Sequence, residues 1–278
     1  MEQPRLSPCA ALLKRHDHDR YLTVLLAPAD RREDLFALYA FNHEVARIAE
    51  ITREAALGQM RLQWWREVVT APLPPVHPVA EALAGAIRRH ELDRQALMRL
   101  LHGRERDLDE TPPADLPALE AYAEATSATL TILVLEILGA HTPASQSAGR
   151  DIGIAWALVG LLRAVPFHAR QRRLYLPRDL CEAEKLDDTG LFALRPSGAL
   201  CAVTRRIAAR AEERLQNARA GAVHVPAAAW PALSLGVLAT RALRVLARAD
   251  FDPFRAEVQR QDPGRAWRLA WAKLRGRY

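Results

Sequence analysis

The sixteen residues from Leu162 to Pro177 hold four arginines, a histidine and a tyrosine, and no carboxylate. Arg163, Arg170, Arg172, Arg173 and Tyr175 could grip an anion, because a guanidinium fork matches phosphate oxygens. The same residues could equally form a solvated basic face around a turn. His168 could act as a base or a ligand, but a lone histidine near a helix end is more often structural, and that is the expectation. Two carboxylates upstream, Glu44 and Glu50, could hold a cation. They stand six apart and share a helix face poorly, so exposure or pairing with Arg47 or Arg53 is expected instead. The run His16-Asp17-His18-Asp19 has the composition of a metal cluster, yet near a terminus helix capping is the better reading. Cys9, Cys181 and Cys201 form no C-x-x-C pair and no zinc spacing, so a reducing compartment is expected. Thr126, Ser127 and Thr129 interrupt an apolar stretch. They either line a cavity or, as expected, bond to their own backbone carbonyls.

Helices must position these groups. Ala, Leu, Arg and Glu dominate the composition, and period-two runs of β-branched residues are missing, so an all-α domain is predicted. The spacing predicts helices over about Arg20–Leu26, capped by Asp17 or Asp19, and Asp30–Glu50. A third carries Leu57 to Val68 and is ended by Pro72, Pro74, Pro75 and Pro78. Val79–Arg89 and Arg94–Asp107 follow. Leu119 to Leu138 keeps three-four spacing for about five turns. Ala125 to Ala140, the least charged stretch, is too short to span a bilayer comfortably and reads as a core helix. Ser145 to about His168 is apolar nearly all round, as suits the centre of a bundle, with Pro166 expected to kink or end it. Arg178 to Gly190 reads as a charged loop. Helices over about Ser197–Ala220, Ala227–Ala249 and Pro263–Leu274 complete one domain, 1–278. In the last of these, Trp267, Trp271 and Leu274 share a face among basic residues. We expect that face to dock onto the bundle, with weak peripheral membrane contact as the alternative.

The chain has 278 residues and a net charge of +6. Its arginines are dispersed rather than gathered in a tract, which argues against nucleic acid as a partner. Met1 to Leu13 lacks a signal-peptide pattern, so a cytoplasmic location is expected.

Two stretches resemble a known family. Leu162-Arg163 and Arg173-x-Tyr175-Leu176-Pro177 match the ends of the second signature of the squalene/phytoene synthase superfamily, roughly L-R-D-x-x-E-D-x-x-x-G-R-x-Y-L-P. Tyr39-Ala40-Phe41 opens like its first, Y-A-F-C-R-x-x-D-D-x-x-D. Arg20-Tyr21-Leu22, Arg31 to Leu38, Trp64-Trp65-Arg66, His77-Pro78-Val79 and Asp107-Leu108 extend the resemblance over about two thirds of the chain. It implies a helical isoprenoid-synthase bundle around a central cavity. Active members condense two prenyl diphosphates, with facing Asp-rich motifs that hold Mg²⁺ against the departing diphosphate.

At the acidic positions this sequence departs from the signatures. The first motif's aspartates fall on Ala46, Arg47 and Glu50, and the second motif's acids fall on Ala164, Phe167 and His168. Catalytic residues and a metal site are therefore not expected, nor any cofactor. A similar loss marks the branch related to the mitochondrial complex I assembly factor. That branch carries stretches similar to Ala40-Phe41-Asn42-x-Glu44, Gly58-x-Met60-Arg61-x-Gln63-x-Trp65, Tyr122-Ala123-Glu124-x-Thr126, Leu135-Glu136-Ile137-Leu138-Gly139 and Leu162-Arg163-Ala164-x-Pro166-x-His168. This resemblance implies a non-catalytic role in assembling respiratory complex I, with its subunits or assembly intermediates as partners, or a role in binding a prenyl lipid. An inner-membrane surface would then be the working location. The alternative is a prenyl transferase with altered metal ligands that uses Mg²⁺. Glu44, Arg163, Arg170, Arg173 and Tyr175 are the candidate ligand or diphosphate contacts.

Overall fold

Caps set the helix starts. Ser7 accepts from the Ala10 amide ahead of α1 (Pro8–His16), and Asp17 accepts from the Arg20 amide ahead of α2 (His18–Leu25). A short 3₁₀ turn leads into α3 (Arg32–Ala46), and α4 (Ile48–Ile51) follows after a break at Arg47. The single helix expected over Asp30–Glu50 is thus two. The computed structural model describes residues 6–52, 54–71 and 76–278. Arg53 and the Pro72, Pro74 and Pro75 cluster, invoked above as an ion-pair partner and a helix stop, lie outside the described residues.

Next come α5 (Ala55–Thr70), α6 (Pro78–His90), α7 (Arg94–Glu105), α8 (Leu116–Ala123) and α9 (Thr129–Ile137). The last two are one continuous rod, because Glu124–Ala128 joins them as a π-helical segment. Then α10 (Pro143–Arg170) runs for 28 residues. Pro166 neither ends nor breaks it. The ring removes one donor, but it is buried and the helix proceeds through Arg170. The remainder is α11 (Arg178–Ala183), α12 (Asp188–Phe192), α13 (Gly198–Ala220), α14 (Trp230–Leu233), α15 (Leu235–Arg248), α16 (Ala256–Gln259) and α17 (Arg265–Leu274). The stretch expected as a charged loop therefore contains α11 and the start of α12. Asp187 caps α12 by accepting from the Thr189 and Gly190 amides, while Leu180, Cys181 and Leu191 bury. No strand occurs among the described residues.

The central helix is α10, which packs along α13, α9, the π segment and α15. Ile152, Ile154, Ala155, Leu158 and Leu162 on α10 are essentially inaccessible to solvent. Close approach there depends on two glycines. A side chain on Gly153 would stand 2.8 Å from the Ala128 nitrogen and 2.9 Å from the Ser127 carbonyl. One on Gly103 of α7 would stand 2.9 Å from the Ala125 Cβ. The π segment is thus clasped between α7 and α10. Both Leu116–Ile137 and Pro143–Arg170 are long and apolar enough to cross a membrane, but their apolar faces are mostly buried in the bundle.

Candidate functional site

The ends of α3 and α4, the π segment and the second half of α10 line a cavity of about 250 Å³. Ala46, Ala49 and Glu50 face it from one side. Ala164, Phe167 and His168 face it from α10. Five of the six signature positions, all but Arg47, therefore line one space. Glu44 and Arg47 do not line it. Glu44 is half-buried elsewhere, and Arg47 is exposed and pairs loosely with Glu50 at 3.9 Å. Burial raises the Glu50 carboxyl against the opposing charge of Arg47.

The basic cluster expected near Arg170 divides. Arg173 and Tyr175 line the cavity. Arg163 instead lines a separate cleft against α15 and α16, where its carbonyl accepts from the Gln259 side chain at 2.9 Å. Arg170 and Arg172 are exposed. The five residues do not form one anion pocket, because the helix end and the turn at Arg172, with φ of 54°, fan them in different directions.

A polar node missed by motif reading occupies the inner wall. Asp107 follows α7 on a short 3₁₀ turn and is 5% exposed. Its Oδ1 accepts from the Tyr122 hydroxyl at 2.8 Å and the Tyr175 hydroxyl at 3.0 Å. Arg104 Nη1 donates to Asp107 Oδ2 at 3.1 Å and to the Tyr122 oxygen at 2.8 Å. Arg173 donates to the Asp107 carbonyl at 2.6 Å and ties the Arg-x-Tyr-Leu-Pro strap to this turn. Burial opposes the charge on Arg104, yet Tyr122 and Asp107 hold it firmly protonated. Burial also pushes both tyrosine hydroxyls above their usual range. The available signal was the Arg104–Asp107 spacing of three, one helical turn.

His168 packs its ring 4.5 Å from Tyr175, and burial lowers its imidazole to about 4. At neutral pH it is an uncharged wall. Thr126 bonds to the Tyr122 carbonyl and Thr129 to the Glu124 carbonyl, as expected. Thr126 and Ser127 also line the cavity, and Ser127 Oγ and Arg104 Nε are buried without a partner among the described residues. Near the N-terminus, Asp17 caps α2 and pairs with Arg20 at 2.7 Å, while Asp19 pairs with Arg265 at 3.0 Å. These acids are committed to helix and ion-pair contacts.

A family model described as squalene/phytoene synthase matches residues 13–275. The chain belongs to the squalene/phytoene synthase family. Within it, the chain is 35% identical over 257 residues to "NADH dehydrogenase (ubiquinone) complex I, assembly factor 6" of Bos taurus, covering 91% of this chain and 77% of that one. Identity to "Phytoene synthase 1, chloroplastic" of Arabidopsis thaliana is lower, 25% over 276 residues, covering 95% and 65%. A solved dehydrosqualene synthase in complex with ligand superposes with a TM-score of 0.83 at 19% identity, over 96% of this chain and 94% of that one. That likeness establishes the all-α isoprenoid-synthase fold.

The Mg²⁺ implied by the squalene/phytoene synthase family does not fit these residues. A hard divalent ion requires several oxygen donors converging on one point. Here the facing walls offer alanine, phenylalanine and a neutral imidazole. Glu50 is offset toward Arg47, and Asp107 is engaged by two hydroxyls and a guanidinium. No group of three or more His, Cys, Asp or Glu side chains suited to a metal occurs among the described residues. The positive charges of Arg104 and Arg173 would also repel the ion.

Proposed function

We propose that this chain is a non-catalytic member of its family that assists assembly of the respiratory NADH dehydrogenase. One observation carries this reading: of the six positions that should carry acids, Ala46, Ala164, Phe167 and His168 face the cavity without a carboxylate, Arg47 does not line it, and Glu50 alone keeps one. A diphosphate leaving group needs counter-charge in a fixed place, and the lone Glu50, with Asp107 already engaged by two tyrosines and Arg104, does not gather the converging carboxylates that would hold a metal for it. The higher identity to a named assembly factor than to a named phytoene synthase supports the same reading. On this account the chain needs no Mg²⁺ and works in the cytoplasm beside the membrane that holds the complex. The cavity would take an apolar guest such as a prenyl chain, with Ser127 and Arg104 meeting its polar end.

Two measurements test it together. Deleting the gene should lower assembled complex I and NADH oxidation, and a copy carrying Asp107→Ala should restore them less well than the wild type. Purified protein with Mg²⁺ and farnesyl or geranylgeranyl diphosphate should release no diphosphate above the blank. Normal complex I in the deletion strain, or clear turnover in the assay, would overturn the reading.

A further inference from the structure

The final helix is held to the bundle by one side only. Leu269 is 1% exposed and Ala272 packs beside it. Arg265 pairs with Asp19, and Lys273 donates to the Leu26 carbonyl at 2.8 Å. At about 100° per residue, Trp267, Trp271 and Leu274 fall on the opposite side from Leu269. They are 83%, 57% and 81% exposed. The expectation that this stripe docks onto the bundle is therefore corrected: α17 has two apolar faces, and the aromatic one looks outward.

The surroundings of the stripe are cationic. From Gly264 to Tyr278 the chain carries Arg265, Arg268, Lys273, Arg275 and Arg277 and no carboxylate side chain. The Arg275 guanidinium lies over the Trp271 ring at 4.6 Å. Behind Trp271 a cleft of about 600 Å³ opens between α15, α17 and the end of α13. Arg219, Arg241, Arg244, Arg268 and Arg277 line it; no Asp or Glu side chain does, and the Tyr278 main-chain oxygen accepts from Arg219 at 2.8 Å. Asp262, nearby, engages Arg268 at 2.7 Å and Arg241 at 3.6 Å. Burial, and after it the charge of Arg244, pushes Arg219 below its usual range against the opposing pull of Glu212 and Tyr278.

We propose that Trp267, Trp271, Leu274 and the arginine-lined cleft beside them form a docking surface for an anionic phospholipid bilayer. A convex ridge of indoles and a leucine suits the boundary between headgroups and acyl chains. Guanidinium groups beside the ridge suit lipid phosphates, and the nearby acid Asp262 is paired with Arg268 and Arg241, so it adds little repulsion toward an anionic surface. A protein partner would instead supply a groove for the ridge, whereas Arg244 and Arg277, left without an ion pair among the described residues while Asp262 holds Arg241 and Arg268, suit the spread phosphates of a lipid surface. The inference is independent of the assembly reading, because it concerns the purified chain and lipid alone.

The test uses the full chain and co-sedimentation with vesicles of phosphatidylcholine alone or mixed equally with phosphatidylglycerol. The wild type should bind the mixed vesicles, shift its indole emission to shorter wavelength and be released by salt. Trp267→Ser with Leu274→Ser, and separately Arg244→Gln with Arg277→Gln, should each weaken binding about tenfold or more. Both pairs alter exposed side chains, and unchanged thermal midpoints will confirm folding. Equal binding to neutral vesicles, binding unaffected by either pair, or a wild type that stays in the supernatant would overturn the proposal. The last result is also what a stripe reserved for a protein partner would give.

Discussion

His168 stands where an acid of the second signature is expected, and burial has made it a neutral ring against Tyr175. The unfolded chain takes up this proton near 6.5, whereas the folded chain resists it until about 4. Between those values the unfolded state binds more protons, so stability falls as pH drops through that window. His43, also lowered to about 4 by burial, acts with the same sign. His168→Gln should flatten the dependence of the urea midpoint on pH between about 6.5 and 4. Parallel curves for variant and wild type would contradict this assignment. Asp107 is the opposite case, a buried acid whose value lies in its partners. Asp107→Ala leaves the buried Arg104 without its carboxylate, with only the Tyr122 hydroxyl close by, and should cost about 3–5 kcal/mol in urea unfolding, with Asp107→Asn costing less. His168's neutrality was not legible in sequence, and of Asp107's centrality only the one-turn spacing from Arg104 and the separate matching stretches were. A histidine's state depends on what buries it, and Asp107 gains its partners from Tyr122 and Tyr175, far along the chain.

At the scale of elements, periodicity located α10 and α13 well, whereas the one helix expected over Ala227–Ala249 is a 3₁₀ turn followed by α14 and α15. The start of α10 lies at Pro143 instead of Ser145, and that of α13 at Gly198 instead of Ser197. The short helices α11 and α12 escaped because charge obscured their few buried residues. The π segment escaped because one extra residue per turn leaves the three-four pattern nearly intact. Its packing makes a sharp prediction. Gly153→Ala places a methyl group against the backbone of Ala128 and should destabilise by about 1–3 kcal/mol. Gly160→Ala, on the same helix, meets nothing within 4 Å. There the better helix former should stabilise by about 0.5–1 kcal/mol. Thermal or urea unfolding of the two variants side by side separates crowding from propensity. For α17, spacing placed Trp267, Trp271 and Leu274 together but could not say which of two apolar faces meets the core.

At the scale of the whole molecule, the signatures predicted the facing walls of the cavity, because Arg173-x-Tyr175-Leu176-Pro177 and Tyr39-Ala40-Phe41 are scaffold as much as chemistry. Tyr39, Ala40 and Phe41 are buried in the core, and Arg173 and Tyr175 brace the Asp107 turn. These roles do not require a metal, so the scaffold outlasts the acids. The dispersal of Arg163, Arg170 and Arg172 away from that cavity shows the limit of a linear string, whose members share a neighbourhood only if the backbone turns them the same way.

The length of α10 has a consequence for how the molecule comes apart. This helix packs on α9 and the π segment, which precede it, and on α13 and α15, which follow it. Neither half of the chain can keep its interior dry without it, so loss of structure should spread through both halves as one cooperative event. A guest seated against Ala164 and His168 would tax that event everywhere at once. Occupancy of the cavity would then slow the melting of α15, the platform on which α17 and its outward indoles rest.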